Sequence, residues 1–239
     1  MSPTSHPPPR WRLDEVASAG RENLDAAHVA RYDDKQDADA AGDVELLRRF
    51  GLDERSVVVD LGAGTGQFTL AVASVCAAVV AVDVSPVMIS RLRANVAAAG
   101  ANNVRVVEAG FLDYDHQGAA ADIVYSRWAL HHLPDLWKAV ALARMRQILR
   151  PGGVLRLSDI AFSFDPADTE THLERWCATL PDVGAADAWA RRDIEEHVRD
   201  EYSTFTWLLE PMIERCGFRI EHTDTSADGV FADYVARAE

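Results

Sequence analysis

Three glycines at alternate positions follow an apolar run that ends beside a carboxylate. Residues 57–61 have the length of a buried strand, and Gly62, Gly64 and Gly66 then form a loop before the next helix. Because glycine has no Cβ, the backbone there can approach a ligand closely, and the N–H groups at the helix start can bind it. Ligands of parallel sheets bind at the carboxyl ends of the strands. The pattern therefore predicts a nucleotide-like cofactor at this loop.

Asp60 and Gln67 indicate which kind of nucleotide binds. A dinucleotide-binding loop has its third glycine at the position that Gln67 occupies here. The loop contains no Lys or Arg, and Asp60 at its mouth would repel a pyrophosphate but attract an ammonium and a sulfonium group. S-adenosylmethionine carries both of these positive groups. We therefore expect S-adenosylmethionine as the cofactor, with an NAD-linked oxidoreductase as the alternative function.

A second carboxylate, Asp83, ends the next apolar run, about 20 residues after the first glycine. This spacing is typical of an acid at the tip of the second strand that binds ribose. Its two oxygens can accept hydrogen bonds from both ribose hydroxyl groups. Because NAD also contains ribose, Asp83 predicts a nucleoside-containing cofactor without distinguishing NAD from S-adenosylmethionine.

Four segments together resemble the small-molecule branch of the class I S-adenosylmethionine-dependent methyltransferases. They occur in the family's order at residues 57–68, 79–88, 122–135 and 149–155. The resemblance implies a Rossmann-like, doubly wound α/β fold with a seven-stranded sheet, an antiparallel C-terminal hairpin and a helical lid. It also implies transfer of a methyl group to an N, O or C atom of a small-molecule acceptor by in-line displacement. A relative that binds S-adenosylmethionine without catalysis is a further alternative.

The spacing and the resemblance together assign a set of residues to the cofactor. One position departs from the family pattern, because Gly110 stands where many relatives have an acid that accepts from the adenine amino group. The backbone around Gly110 and Phe111 is still expected to frame the adenine. The residues predicted to bind the cofactor are Tyr32, Asp60, Gly62, Ala63, Gly64, Gly66, Asp83, Val84, Met88, Gly110, Phe111, Ser126 and Arg127.

Tyr32, His131 and His132 are the catalytic candidates. The resemblance implies that a tyrosine on an N-terminal helix, here Tyr32, covers the methyl end of the cofactor. A histidine can accept a proton at neutral pH. The alternative for His131 and His132 is that they shape the turn before the next helix. The two are adjacent rather than four residues apart, and no acidic partner follows at a ligand spacing, so we expect no metal.

Composition restricts the partners. The chain has 239 residues, of which 48% are hydrophobic, and this is enough for a sizeable core. Its formal charge of −14 disfavours nucleic acid and anionic membranes as partners.

The three cysteines are widely spaced, which favours a reducing cytoplasm. No apolar run approaches the ~20 residues of a membrane-spanning helix. The oligomeric state is left open.

Strands and helices are predicted to alternate, which favours a parallel sheet with helices on both faces. We expect strands near 57–61, 78–83, 104–108, 121–126, 153–159, 218–223 and 230–236, and helices near 66–76, 86–99, 135–149, 167–178, 186–200 and 203–216.

Four domain assignments follow from the same pattern. Residues 1–10 contain four prolines and are predicted to be a disordered tail. Residues 11–239 are predicted to form a single methyltransferase domain. Within it, residues 11–50 should be an N-terminal helical cap and residues 160–202 a helical lid insertion.

Overall fold

A mostly parallel sheet positions the predicted cofactor loop at the carboxyl end of an inner strand. The computed structural model describes residues 9–29, 39–181 and 190–239. Its strands are β1 (Val57–Leu61), β2 (Ala78–Asp83), β3 (Val104–Glu108), β4 (Ala121–Arg127), β5 (Leu149–Phe162), β6 (Thr204–Phe205), β7 (Phe218–Thr225) and β8 (Phe231–Ala238). The order β3-β2-β1-β4-β5-β8-β7 contains five parallel strands, and β8 pairs antiparallel with both β5 and β7. The predicted α/β fold with an antiparallel C-terminal hairpin is confirmed.

Helices connect β1 to β2, β2 to β3 and β4 to β5, and further helices precede β1 and follow β5. Pro86 begins one of them after Ser85, whose hydroxyl oxygen accepts a hydrogen bond from Met88 N at 3.2 Å. The same helix ends at Gly100, as the sequence predicted. The described α-helices are α1 (Arg21–Leu24), α2 (Ala26–Val29), α3 (Ala40–Arg49), α4 (Gln67–Ala73), α5 (Pro86–Ala99), α6 (Asp135–Ile148), α7 (Thr169–Cys177), α8 (Arg191–Asp200) and α9 (Thr206–Arg215).

Both faces of the sheet are buried, because successive side chains of a strand point to opposite sides. In β1, Val59 belongs to a core cluster that includes Leu142 of α6 and residues of α9. Its neighbour Val58 belongs to a second cluster, which includes Leu47 of α3 and residues of α4. Apolar packing on two sides thus holds β1 in the middle of the fold. The glycine loop, residues 62–66, follows the carboxyl end of β1.

The structure differs from the predicted elements mainly after residue 148. The predicted strand near 153–159 extends over Leu149–Phe162, since its last residues also pair with β8 and with the short strand β6. The helix expected from residue 203 begins at Thr206, because Thr204 and Phe205 form β6. The predicted lid contains α7 and α8, and residues 186–189 of the second lid helix expected near 186–200 lie outside the described residues. Residues 1–8 of the predicted tail also lie outside them.

Among the described residues, no helix combines the length and apolar character needed to cross a bilayer.

A buried ion pair attaches α3 to the sheet. Arg156 of β5 is 6% exposed, and its Nε donates a 2.9 Å hydrogen bond to Asp43 Oδ1 on α3. The second oxygen of Asp43 accepts a 2.6 Å bond from the Tyr125 hydroxyl. Asp233 of β8 lies 2.7 Å from the same guanidinium. These contacts fix α3 against β4 and β5. The cofactor loop follows β1, which pairs with β4.

We expect Asp43→Ala to lower the free energy of unfolding by about 3 kcal/mol, because removing one partner leaves a buried charge poorly compensated. The loss should not be larger, because Asp233 still forms an ion pair with Arg156 in the variant. Urea denaturation measures the effect. Glu45→Ala is the matched control, since Glu45 lies exposed on the same helix and should change stability by less than about 0.5 kcal/mol. Equal losses in the two variants would contradict the importance of the buried pair.

Candidate functional site

The glycine loop contacts both β2 and the segment after β4. Gly62 has a φ of 77°, and a Cβ there would lie 2.4 Å from the Cβ of Ala129. Its N–H donates to the Val82 carbonyl oxygen at 2.9 Å. Gly64 N–H donates to Asp83 Oδ2 at 2.8 Å, and a Cβ on Gly64 would meet no atom within 4 Å among the described residues. The loop is therefore tightly packed at Gly62 and open at Gly64.

Asp83 holds the loop and also faces a cavity. Its Oδ2 accepts from Gly64 N–H, and its Oδ1 accepts from Ser85 N–H, also at 2.8 Å. The residue is only 9% exposed, and burial raises the pKa of its carboxyl group. Each carboxylate oxygen can accept more than one hydrogen bond. Asp83 can therefore bind two ligand hydroxyl groups without releasing the loop.

Asp60 lies deeper, at the end of β1. Its Oδ2 accepts a 2.5 Å hydrogen bond from the Thr69 hydroxyl of α4. Burial raises the pKa of Asp60 to about 7 against the effect of this bond, and the charges of Asp83 and Asp43 add to the rise. The electrostatic argument from the sequence treated Asp60 as fully ionised, whereas the fold leaves it part protonated near neutral pH. A cation brought beside it would favour the ionised form.

Two adjoining cavities occupy the edge formed by β1, β2 and β4. Most of the predicted cofactor residues line them, and the two cavities share Gly62, Gly64, Arg127 and Trp128. The predicted residues on the first cavity are Gly62, Gly64, Asp83, Val84, Met88, Gly110, Phe111, Arg127 and His132. Those that line only the second are Asp60 and Ala63.

Three of the predicted residues that the structure describes are not on these cavities. Ser126 is fully buried, since side chains alternate along β4 and its neighbours Tyr125 and Arg127 are the ones on the cavity side. Gly66 is the N-cap residue of α4 and lines neither cavity. His131 is buried behind His132. Tyr32 lies outside the described residues.

Glu15 is a cavity residue that the sequence analysis missed. Its Oε2 accepts a 3.0 Å hydrogen bond from Leu112 N–H. A Cβ on Gly110 would lie 2.3–2.5 Å from the three carboxyl atoms of Glu15, so the absent side chain makes room for this carboxyl group. Burial raises the pKa of Glu15 to about 7. No local pattern marks Glu15, because it meets Gly110 only through the tertiary fold.

Trp128 follows β4 with a backbone conformation that is rare for a bulky residue. Its φ of 49° lies in the left-handed region, and its N–H donates to the Ser158 carbonyl oxygen at 2.9 Å. The Arg127 guanidinium carbon lies 4.3 Å from the centre of the indole ring. Such strain occurs where surrounding structure enforces it, often at binding sites. Here it turns the Trp128 ring toward the junction of the two cavities.

His131 and His132 meet carboxylates that lie far along the chain. His131 Nδ1 makes a short contact with Asp159, and His131 Nε2 lies 3.1 Å from Glu201 Oε2. Burial alone would lower the pKa of His131, but Asp159 and Glu201 outweigh it and raise the value to about 10. Burial and the charge of His131 lower the pKa of His132 to about 3. No acidic partner follows the pair at a ligand spacing in the sequence, but folding brings Glu201 to both rings.

The comparisons with known proteins agree with this architecture. A family model described as "Methyltransferase domain" matches residues 58–153. An uncharacterized methyltransferase of Geobacillus thermodenitrificans is 26% identical over 83% of this chain and 86% of its own length. The 27-O-demethylrifamycin SV methyltransferase of Amycolatopsis mediterranei is 29% identical over 49% of this chain and 43% of its own.

A solved structure shares the fold. Magnesium protoporphyrin IX methyltransferase of Synechocystis, with bound S-adenosylhomocysteine, matches with a TM-score of 0.61 and 16% identity. The match covers 91% of this chain and 86% of the other.

The raised pKa of Glu15 makes the N-terminal segment sensitive to pH. A carboxyl group whose pKa rises from 4.5 when free to about 7 when docked favours docking at low pH, and that stabilisation is lost between these two values. We expect amide protection around Ala17–Ala19, corrected for intrinsic exchange, to fall by roughly 40-fold from pH 5 to pH 7. Glu15→Gln should show no such fall. A parallel loss in both proteins would contradict the titration of Glu15.

Proposed function

Because the chain belongs to the class I S-adenosylmethionine-dependent methyltransferases, we propose that it transfers the cofactor's methyl group to an N, O or C atom of a small-molecule acceptor. The observation that supports this most directly is the pair of cavities that meet at Arg127 and Trp128. The first contains the carboxylate of Asp83 and suits a nucleoside. The second contains Asp60 and suits the cationic amino-acid part of the cofactor.

The adenosyl group would lie in the first cavity. Asp83 accepts from the ribose hydroxyls while Gly64 and Ser85 hold its carboxylate in place. Val84 and Phe111 line the same cavity and supply apolar contacts for the adenine ring. The adenine thereby leaves water while the ribose keeps its hydrogen bonds.

Glu15 would replace the adenine-binding acid that relatives carry after the third strand. Gly110 occupies that position here, and the Glu15 carboxyl group fills the space beside it. The Glu15 carboxyl group already interacts with the backbone N–H groups of Leu112 and Phe111. Because each carboxylate oxygen can accept more than one hydrogen bond, Glu15 can also accept from the adenine amino group. This arrangement would make adenine binding depend on the N-terminal segment and would couple cofactor binding to docking of that segment.

The methionine part would extend into the second cavity, with its ammonium near Asp60. A positive charge there favours the ionised form of Asp60, and the Thr69 hydroxyl holds the carboxylate in place. The sulfonium would then lie at the junction beside Trp128. Methyl transfer from a sulfonium needs alignment of donor and acceptor and exclusion of water more than it needs an added catalyst.

The negative charge of the chain and the names of two similar proteins favour a small-molecule acceptor. The formal charge of −14 disfavours polyanionic acceptors such as RNA. One relative is named for a rifamycin and one structural neighbour for magnesium protoporphyrin IX, and these two names support a small acceptor here. We also assign the chain to the cytoplasm, where the free thiols of Cys76, Cys177 and Cys216 would stay reduced.

A turnover assay separates the proposal from its alternatives. The protein is incubated with methyl-labelled S-adenosylmethionine and a panel of amines, phenols, alcohols and acidic carbon compounds, and label in the product is counted. Labelled product from at least one acceptor supports the enzyme. Tight binding of S-adenosylmethionine without transfer across a broad panel would favour a non-catalytic role, and NAD-dependent oxidation would favour the oxidoreductase.

We expect Asp83→Ala to weaken S-adenosylhomocysteine binding by about 100-fold or more. It removes two charge-assisted hydrogen bonds worth about 1.5–3 kcal/mol each, and 1.4 kcal/mol corresponds to tenfold in affinity. Calorimetry measures the change. Glu108→Ala is the matched control, because Glu108 ends the adjacent strand β3 in register with Asp83 but is exposed and lies outside both cavities. Unchanged affinity in a folded Asp83→Ala protein would contradict the ribose assignment.

Glu15 can be tested with a change in the ligand. We expect Glu15→Ala to bind S-adenosylhomocysteine about tenfold more weakly, because the adenine amino group loses its carboxyl acceptor. An analogue with hypoxanthine in place of adenine has no amino group and should bind wild type and Glu15→Ala with similar affinity. If Glu15→Ala weakens both ligands equally, Glu15 acts only by docking the N-terminal segment.

A further inference from the structure

A buried group of imidazoles and carboxylates lies beside the first cavity, and the proposed methyl transfer makes no use of it. His131 and His132 belong to the short 3₁₀ turn after β4, His197 lies on α8 and Glu201 follows α8. Asp159 lies on β5. The side chains of all five are between 3% and 13% exposed. Charged and polar atoms so deeply buried need partners that satisfy them.

Three of these side chains converge on one point. Glu201 Oε2 lies 3.1 Å from His131 Nε2 and 3.7 Å from His132 Nδ1. One ligand atom from each of the three residues lies within 4.8 Å of the other two. Ligands about 2.0–2.2 Å from a tetrahedral ion are about 3.4 Å apart, so this spacing suits a common metal ion.

One of the converging atoms has no hydrogen-bond partner among the described residues. His132 Nδ1 is buried and makes no hydrogen bond within the described part of the chain. A buried nitrogen lone pair without such a bond is unfavourable. Glu201 Oε2 is the anionic atom nearest to it on this side, and imidazole nitrogens of His131 and His197 also lie close to that oxygen. A cation bound between His132 and Glu201 would satisfy this nitrogen and share the negative charge.

The outer partners are also those of a metal site. Asp159 contacts His131 Nδ1, and its oxygens accept from the N–H groups of His131 at 3.0 Å and Ile160 at 2.8 Å. A carboxylate that holds one nitrogen of an imidazole directs the lone pair of the other toward a metal. On the opposite side, His197 Nδ1 lies 2.5 Å from Glu201 Oε2, and its Nε2 lies 2.8 Å from Ser203 Oγ. Asp159 therefore holds His131 on the side away from the proposed ion, and His197 holds the Glu201 carboxylate in place through the oxygen that would bind it.

We propose that His131 Nε2, His132 Nδ1 and Glu201 Oε2 bind a divalent transition-metal ion, with Zn²⁺ best suited to two imidazole nitrogens and one carboxylate oxygen. Three protein ligands leave a coordination position for water or another oxygen or nitrogen ligand. The ion would join the turn after β4 to the segment after α8, where Tyr202 N–H already donates to the His131 carbonyl oxygen at 2.9 Å. This proposal differs from the sequence-based expectation that the chain holds no metal.

The competing account is an ion-pair network without metal, in which a protonated His131 lies between Asp159 and Glu201. The two accounts differ in what happens when metal is offered. The purified chain is stripped with a chelator, dialysed and titrated with ZnCl₂ by calorimetry, in the absence of cofactor and acceptor. We expect one Zn²⁺ per chain. Failure to bind Zn²⁺ above the level of non-specific surface binding would overturn the site and leave the methyl-transfer proposal intact.

Variants locate the ion. His132→Ala and Glu201→Gln should each weaken Zn²⁺ binding by about 100-fold or more, because each removes one of three ligands. His222→Ala is the matched control, since His222 is an exposed histidine on β7 and should leave the affinity unchanged. Equal Zn²⁺ affinity in all four proteins would overturn the assignment.

A spectroscopic readout covers the case in which a variant fails to fold. Wild-type protein loaded with Co²⁺ should show the intense visible absorption of a four-coordinate site, and Zn²⁺ should remove it by displacement. Weak absorption typical of octahedral aqueous Co²⁺ would contradict the proposed ligand set, whatever the variants do.

Discussion

The hydrogen bonds from Gly64 and Ser85 to the carboxylate of Asp83 are the contacts on which the site depends. They join the end of β2 to the loop after β1, so the first cavity, which we propose to hold the nucleoside, exists only while two parallel strands end side by side. Packing on both faces of the sheet holds those strands in register. A carboxylate fixed in this way can accept hydroxyl groups without reorganising, and this favours binding.

Local signals predicted the parts of the fold that depend on neighbouring residues. The apolar run before the loop, the proline and glycine at the ends of α5 and the acid at the tip of β2 all occur as the sequence indicated. The alternation of side chains along β4 decides that Arg127 reaches the cavity and Ser126 does not. That distinction needs the exact register of the strand, which a short apolar run does not determine.

Long-range contacts account for what the sequence analysis missed. Glu15 and Gly110 are separated by most of the first half of the chain, yet the missing side chain of one makes space for the carboxyl group of the other. Glu201 likewise reaches His131 and His132 from the far end of the predicted lid. The sequence indicated Gly110 and the histidine pair as unusual positions. Only the fold identified the acidic residue that lies beside each of them.

A crystal structure of the chain with S-adenosylhomocysteine tests the adenosine site most directly. We expect the ribose hydroxyls to lie within about 3.2 Å of the Asp83 oxygens and the adenine amino group to lie at hydrogen-bonding distance from Glu15. The homocysteine part should extend past Trp128 toward Asp60. A nucleoside bound elsewhere, or an adenine amino group that faces solvent while Glu15 remains on Leu112, would contradict this assignment.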